Sequence, residues 1–267
     1  MALDPLQALQ AANRAAPPVR RDEGTLLIAG ATGALGQELV RRLAGRHRFE
    51  HTRVLARERI RDGLRGVETL LAPGPDIAQW PRTAADAALV LFEPPRLYYD
   101  RERALWTPEP AQLPVLAAWL KACGVRTLAI VQPHDQGRLP EALKRGLASL
   151  DEEAVVAQGF ERVIIVRSAR KPAAARFANP AERLAAWMLS IARFMVPASE
   201  QPVRAGKVAQ LVDVALRIAP PGVHVAAPEL VWQAAQGELE AVAEGWLSRS
   251  AASAAPPYGP PTAPPPA

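Results

Sequence analysis

The chain is poor in several residues whose scarcity limits its chemistry. It holds a single cysteine, Cys123, so no disulfide can form within it and a cysteine metal cluster is excluded. Cys123 falls at helical spacing with Leu116, Trp119 and Leu120, and a buried core thiol is expected there. The four histidines, His47, His51, His134 and His224, are scattered without metal-ligand spacing. There are only three tyrosines, Tyr98, Tyr99 and Tyr258, and four lysines, Lys121, Lys144, Lys171 and Lys207. No apolar run reaches the length that spans a membrane; the longest, Leu184 to Ile191, is short and is followed by Arg193. The N-terminus lacks the basic start, apolar core and cleavage site of a secretory signal. A soluble, cytoplasmic protein is expected, with no metal and no membrane partner.

What is present is globular. The 267 residues, 49% of them hydrophobic, suffice for an ample core. The net charge of +5 invites a nucleic-acid reading. Arginines and acids are interleaved along the chain, however, with one denser basic stretch from Arg41 to Arg65, so no nucleic-acid partner is expected. Residues 1–22 read as a leader, 23–250 as one domain, and 251–267 as a proline- and alanine-rich tail. The tail has too little apolar surface to bury and is expected to be disordered.

Within the domain, strands and helices alternate, which predicts a parallel sheet with helices on both faces. Strands are expected at Thr25–Ala29, Arg53–Ala56, Val67–Leu71, Ala88–Phe92, Thr127–Val131, Val163–Val166 and Val223–Val225. Helices are expected at Leu35–Ala44, near Pro81–Ala87, at Pro114–Cys123, from Pro140 to the stop at Gly159, from the cap at Asn179, and at Lys207–Ile218. The stretch from Glu93 to Pro110 reads as irregular and aromatic.

The first strand runs into Gly30, Gly33 and Gly36, spaced G-x-x-G-x-x-G, and a helix follows. Gly30 suits a tight exit from the strand, Gly33 clears space for a phosphate, and Gly36 lets the helix pack closely. The free N–H groups and positive dipole end of the helix start favour an anion. Gly30, Thr32, Gly33, Ala34, Leu35 and Gly36 are therefore candidate contacts to a dinucleotide. The second strand ends at Arg57, where an acid would hold the ribose hydroxyl of NAD. An arginine fork suits a 2′-phosphate, which puts NADP ahead of NAD.

From about Thr25 to Glu229 the chain resembles the atypical short-chain dehydrogenase/reductases, nearest the NmrA-like NAD(P)-binding group. The resemblance lies in Ile28-Ala29-Gly30-Ala31-Thr32-Gly33-Ala34-Leu35-Gly36 and Val54-Leu55-Ala56-Arg57. It continues in Ala122-Cys123-Gly124-Val125-Arg126-Thr127-Leu128, in Gly159 through Ser168, and in Pro202-Val203-Arg204 through Val208-Ala209. It implies a doubly wound Rossmann fold, one domain with a small C-terminal subregion on the substrate side. The family's reductases use a Tyr-x-x-x-Lys pair for proton transfer. Four residues after Tyr98, Tyr99 and Tyr258 stand Glu102, Arg103 and Thr262, so the pair is missing. The partner serine is missing near Val131-Gln132-Pro133, and the fourth strand ends in Glu93-Pro94-Pro95, which would bring Glu93 close to the cofactor.

Three readings follow. One is a catalytically degenerate NADP-binding regulator or scaffold with a small-molecule or protein partner. Another is an NADPH-dependent oxidoreductase with a replacement acid, drawn from Glu93, His134 and Asp135 just past the fourth and fifth strands. The third is a fold remnant that works only through protein contacts.

Overall fold

Seven strands form one sheet in the order β3-β2-β1-β4-β5-β6-β7, and every pairing is parallel. The computed structural model describes residues 22–45, 49–60, 66–96, 99–134, 150–169 and 203–254. The strands are β1 Asp22–Ala29, β2 Phe49–Ala56, β3 Val67–Leu71, β4 Ala87–Leu91, β5 Thr127–His134, β6 Arg162–Ala169 and β7 Gly222–Ala226. The helices are α1 Gly33–Gly45, α2 Asp100–Arg103, α3 Leu113–Ala122, α4 Leu150–Ala157, α5 Ala205–Ile218, α6 Pro228–Gln236 and α7 Leu239–Ala254. The order reverses beside β1, which makes this the doubly wound, Rossmann-like arrangement that the resemblance implied.

Residue alternation along the central strands sends side chains to two separate cores. Leu26, Ile28, Leu89, Leu91, Ile164 and Val166 face α1, α5, α6 and α7. Leu27, Ala29, Ala88, Val90, Leu128 and Ile130 face α3 and α4. On that second face Trp80 meets Trp106 and Trp119 edge-on, with ring centroids 5.1 and 5.3 Å apart. Cys123 is buried there as expected, and burial pushes its thiol up.

Several elements differ from the sequence reading. No helix forms at 81–87. Instead a 3-10 turn spans Ile77–Gln79, where the Asp76 carboxylate accepts the Ala78 N–H at 3.1 Å. The Thr83 and Ala85 N–H groups donate to Cys123 Sγ and Cys123 O, at 3.4 and 3.1 Å. The end of α3 thus ties down this stretch.

β5 runs to His134 rather than Val131, because Gln132, Pro133 and His134 lie in register with Arg167, Ser168 and Ala169. α6 and α7 are additional helices. They bury Val231, Ala234, Leu239, Ala243, Trp246 and Leu247 in the first core. Trp246 also donates its Nε1–H to Val225 O at 3.0 Å. α7 carries four residues beyond 250, so the boundary read at 251 falls within a helix. Residues 1–21 of the leader, the helix from Asn179, most of the helix from Pro140 and residues 255–267 lie outside the described residues, while Asp22, read as the leader's last residue, already begins β1.

Candidate functional site

The glycine loop has the backbone its spacing predicts. Gly30 and Gly33 have φ of +79° and +70°, a region that L side chains enter only with strain. A Cβ on Gly30 would lie 2.0 Å from Leu91 O of the neighbouring strand. One on Gly36 would lie 2.5 Å from the Ala31 carbonyl carbon, so glycine lets the helix close against the turn.

The donors at this helix start are engaged by two acids of the chain itself. The Glu102 carboxylate accepts the Gly33 N–H at 3.0 Å, and Glu93 accepts the Leu35 N–H at 2.8 Å. Glu102 also accepts from Gln37 Nε2 at 2.7 Å, from the Arg96 backbone N–H at 2.8 Å and from Arg96 Nε at 2.8 Å. Arg96 Nη2 adds a further bond to the same carboxylate. Glu102 is only 1% exposed. Burial pushes its carboxyl up, but the Arg96 guanidinium and the Arg96 and Gly33 N–H groups outweigh that and hold it below its ordinary range.

The acids arrive on a strap that follows β4. Residues 104–106 enter between the C-terminal ends of β1 and β2. Leu105 pairs antiparallel with Ala56. Trp106 N–H donates to Leu55 O at 3.0 Å, Gly30 N–H donates to Trp106 O at 3.0 Å, and Arg57 N–H donates to Ala104 O at 2.7 Å. The buried Trp106 ring anchors the strap in the second core. Below it, a cavity of about 260 Å³ lies between α1, β2, β3 and the strap, walled by Val40, Val54, Val67 and Leu105.

Each expected residue has a definite place, with two exceptions. Thr32 is buried; its hydroxyl donates to Glu93 O and lies 3.2 Å from Thr107 Oγ1. Ala34 is exposed on the first turn of α1, and Arg57 is exposed at the end of β2. Glu93, expected near a cofactor, turns its carboxylate into the glycine loop. His134 is the last residue of β5. Tyr99 is exposed, with the Arg96 guanidinium 3.9 Å from its ring centroid. Asp135 and Tyr98 lie outside the described residues.

Glu102, Arg96 and Gln37 escaped the sequence reading. Asp100-Arg101-Glu102-Arg103 has the composition of a solvated surface turn, and no local pattern marks its third residue as buried. Among the described residues no three His, Cys, Asp or Glu side chains are grouped to hold a metal. No helix among them is long and apolar enough to cross a membrane.

A dinucleotide needs the Gly33 and Leu35 N–H donors for its pyrophosphate and the crevice above β1 and β2 for its adenosine side. Here two carboxylates hold the donors and the 104–106 backbone fills the crevice. The residues as folded do not fit the cofactor, since two phosphates could not share the loop's donors and space with two carboxyl groups.

The site and sheet together define a doubly wound Rossmann-like protein with a self-occupied glycine loop. No family model matches the chain, and no curated protein matches it in sequence. Solved structures do resemble it. The enzyme WbmG of Bordetella bronchiseptica, in complex with NAD and UDP, has 12% identity over 83% of this chain and 79% of its own, with a TM-score of 0.45. A nucleoside-diphosphate-sugar epimerase of Staphylococcus aureus has 15% identity over 80% and 78%, with a TM-score of 0.44. Vestitone reductase of alfalfa has 14% identity over 77% of each chain, with a TM-score of 0.39. At these values the likeness assigns neither ligand nor reaction to this chain.

Proposed function

We propose that this chain is a catalytically inert relative of the atypical short-chain dehydrogenase/reductases. It acts in the cytoplasm as a regulator or scaffold through its protein surface, with its nucleotide crevice closed at rest. The observation that carries this reading is the double occupation of the helix start by Glu102 and Glu93. The missing Tyr-x-x-x-Lys pair supports it from the sequence, since hydride transfer to a carbonyl leaves an alkoxide that needs a proton. A cofactor-dependent form of the same role, with NADP preferred through Arg57, requires the strap to leave the crevice.

The oxidoreductase reading has less support. The Glu93 carboxylate is already engaged at the helix start, where it accepts the Leu35 N–H. His134 remains at the sheet edge where ligands of open parallel sheets bind.

The test is calorimetric titration of the purified protein with NADPH and NADH, alongside a turnover assay on aldehydes, ketones and quinones. The expected result is no binding up to about 1 mM cofactor and no oxidation of NADPH. Micromolar NADPH binding would overturn the closed crevice, and steady NADPH oxidation would overturn the inert reading.

A further inference from the structure

We propose that Glu93 and Glu102 are the resident ligands of the glycine loop, two carboxylates standing where a pyrophosphate would and excluding any outside anion. The inference rests on the closed-crevice reading above and adds what holds it closed and what chemistry the vacated loop would accept.

The correspondence is in number, charge and donors. A pyrophosphate brings two adjacent anionic groups to a helix start. Here Gly33 N–H goes to Glu102 and Leu35 N–H goes to Glu93, one carboxylate for each phosphoryl group. The Glu102 position is a complete oxyanion site. Its Oε2 accepts two backbone N–H groups, from Gly33 and Arg96, at 3.0 and 2.8 Å. Its Oε1 accepts from Gln37 Nε2 and Arg96 Nε at 2.7 and 2.8 Å, with Arg96 Nη2 adding to it.

The Glu93 position depends on a missing side chain. A Cβ on Gly33 would come within 2.2 Å of Glu93 Cδ. The space that the glycine spacing reserves for phosphate is thus filled by this carboxyl. Thr32 donates to the Glu93 carbonyl and fixes the backbone from which the side chain reaches in.

Two features make this arrangement a plug rather than an ordinary helix cap. Both carboxylates come from the strap after β4, more than fifty residues beyond the loop. The same strap wedges its backbone between β1 and β2. Loop and crevice are therefore closed by one segment.

Removing a carboxylate leaves its donors in place and opens a hole of carboxylate size. Such a hole should recruit a small oxyanion, and a small oxyanion needs only the loop, not the crevice. The experiment compares wild type, Glu102→Ala, Glu93→Ala and Glu102→Gln. Thermal unfolding is followed in inorganic phosphate, pyrophosphate or acetate, against sodium chloride at equal ionic strength.

The expected result is that wild type and Glu102→Gln do not respond. Each alanine variant should gain about 3–5 °C at anion concentrations near ten times the dissociation constant. Its affinity for pyrophosphate should be at least about tenfold above wild type, the step one charge-assisted hydrogen bond supplies. Alanine variants that fold but ignore all three anions would overturn the proposal, as would wild type binding pyrophosphate as tightly as they do.

Should both alanine variants fail to fold, the Gly33 amide resonance of wild type decides. It should move as the Glu102 carboxyl titrates in acid, and an amide that stays still overturns the proposal. NADPH binding by wild type sinks the closed-crevice reading, whereas failed anion rescue in the folded variants sinks this one.

Discussion

The Gly33 N–H lies 3.0 Å from Glu102 Oε2, across sixty-nine residues of chain and out of reach of solvent. A helix start buried without a partner would be costly, and here the partner is supplied by a distant acid. Glu102→Gln keeps one acceptor, enough for Gly33 or for Gln37 but not for both, since they bond to different carboxylate oxygens, and it removes the charge opposite Arg96. It should destabilise the fold by about 1–3 kcal/mol. Glu102→Ala leaves the buried Gly33 donor unmet, together with those of Gln37 and Arg96, and should cost more than Glu102→Gln. Chemical denaturation with an unchanged slope checks both.

The pH dependence follows from the same carboxyl. Its folded pKa is held below the ordinary value. Its contribution to stability is therefore complete above the unfolded value of about 4.3 and fades as pH falls through the lower folded value. Stability contributed by Glu102 should be flat from about pH 5.5 to 8. Acid unfolding of Glu102→Gln should lack that component, so the gap between wild type and variant should narrow only in acid. A gap that instead narrows as pH rises would contradict the direction of the shift.

Three glycines with positive φ should rank by what their missing side chain would strike. Gly30→Ala meets the Leu91 carbonyl at 2.0 Å, a backbone atom that cannot step aside. Gly33→Ala meets the Glu93 carboxyl, a side chain that can leave. Gly66→Ala, with φ of +77°, meets nothing within 4 Å and carries only the backbone strain, about 1–2 kcal/mol. The losses should run Gly30→Ala over Gly33→Ala over Gly66→Ala. Gly33→Ala should also free the Leu35 amide, seen as faster hydrogen exchange there.

Much of this fold was legible in sequence, and the reasons are local. β1, α1 and the turn between them were readable because an apolar strand, three glycines and an amphipathic helix sit in one short window. β3 was found at its observed limits. The helix expected at Pro81–Ala87 does not form; Thr83 and Ala85 bond instead to Cys123, some forty residues away, a partner no local window reveals. β5 and β6 outran their expected ends because each supports the other's last three residues. The glycine loop itself was legible, but its occupant was not. Glu102 sits in a charged run that reads as surface, and only the tertiary placement of the strap buries it. The Arg57 clamp and the disordered tail remain expectations from sequence alone.

The strap's hold on the crevice depends on Trp106, which leads to the last prediction. Its backbone joins Gly30 to Leu55, and its ring lies 5.1 Å from Trp80 in an edge-on contact. Trp106→Ala removes a buried aromatic and should cost about 3–5 kcal/mol. If the ring anchors the strap, the loss is not spread evenly. The Gly30 and Arg57 amides, which donate to Trp106 O and Ala104 O, should exchange with solvent at least about tenfold faster once corrected for global unfolding. The Ile28 amide in the centre of β1 should follow global stability alone. Trp106→Phe, which keeps an apolar ring against Trp80, should restore most of the protection. Equal acceleration of Gly30, Arg57 and Ile28 would mean that the tryptophan supports the second core as a whole and that the strap is held by its glutamates.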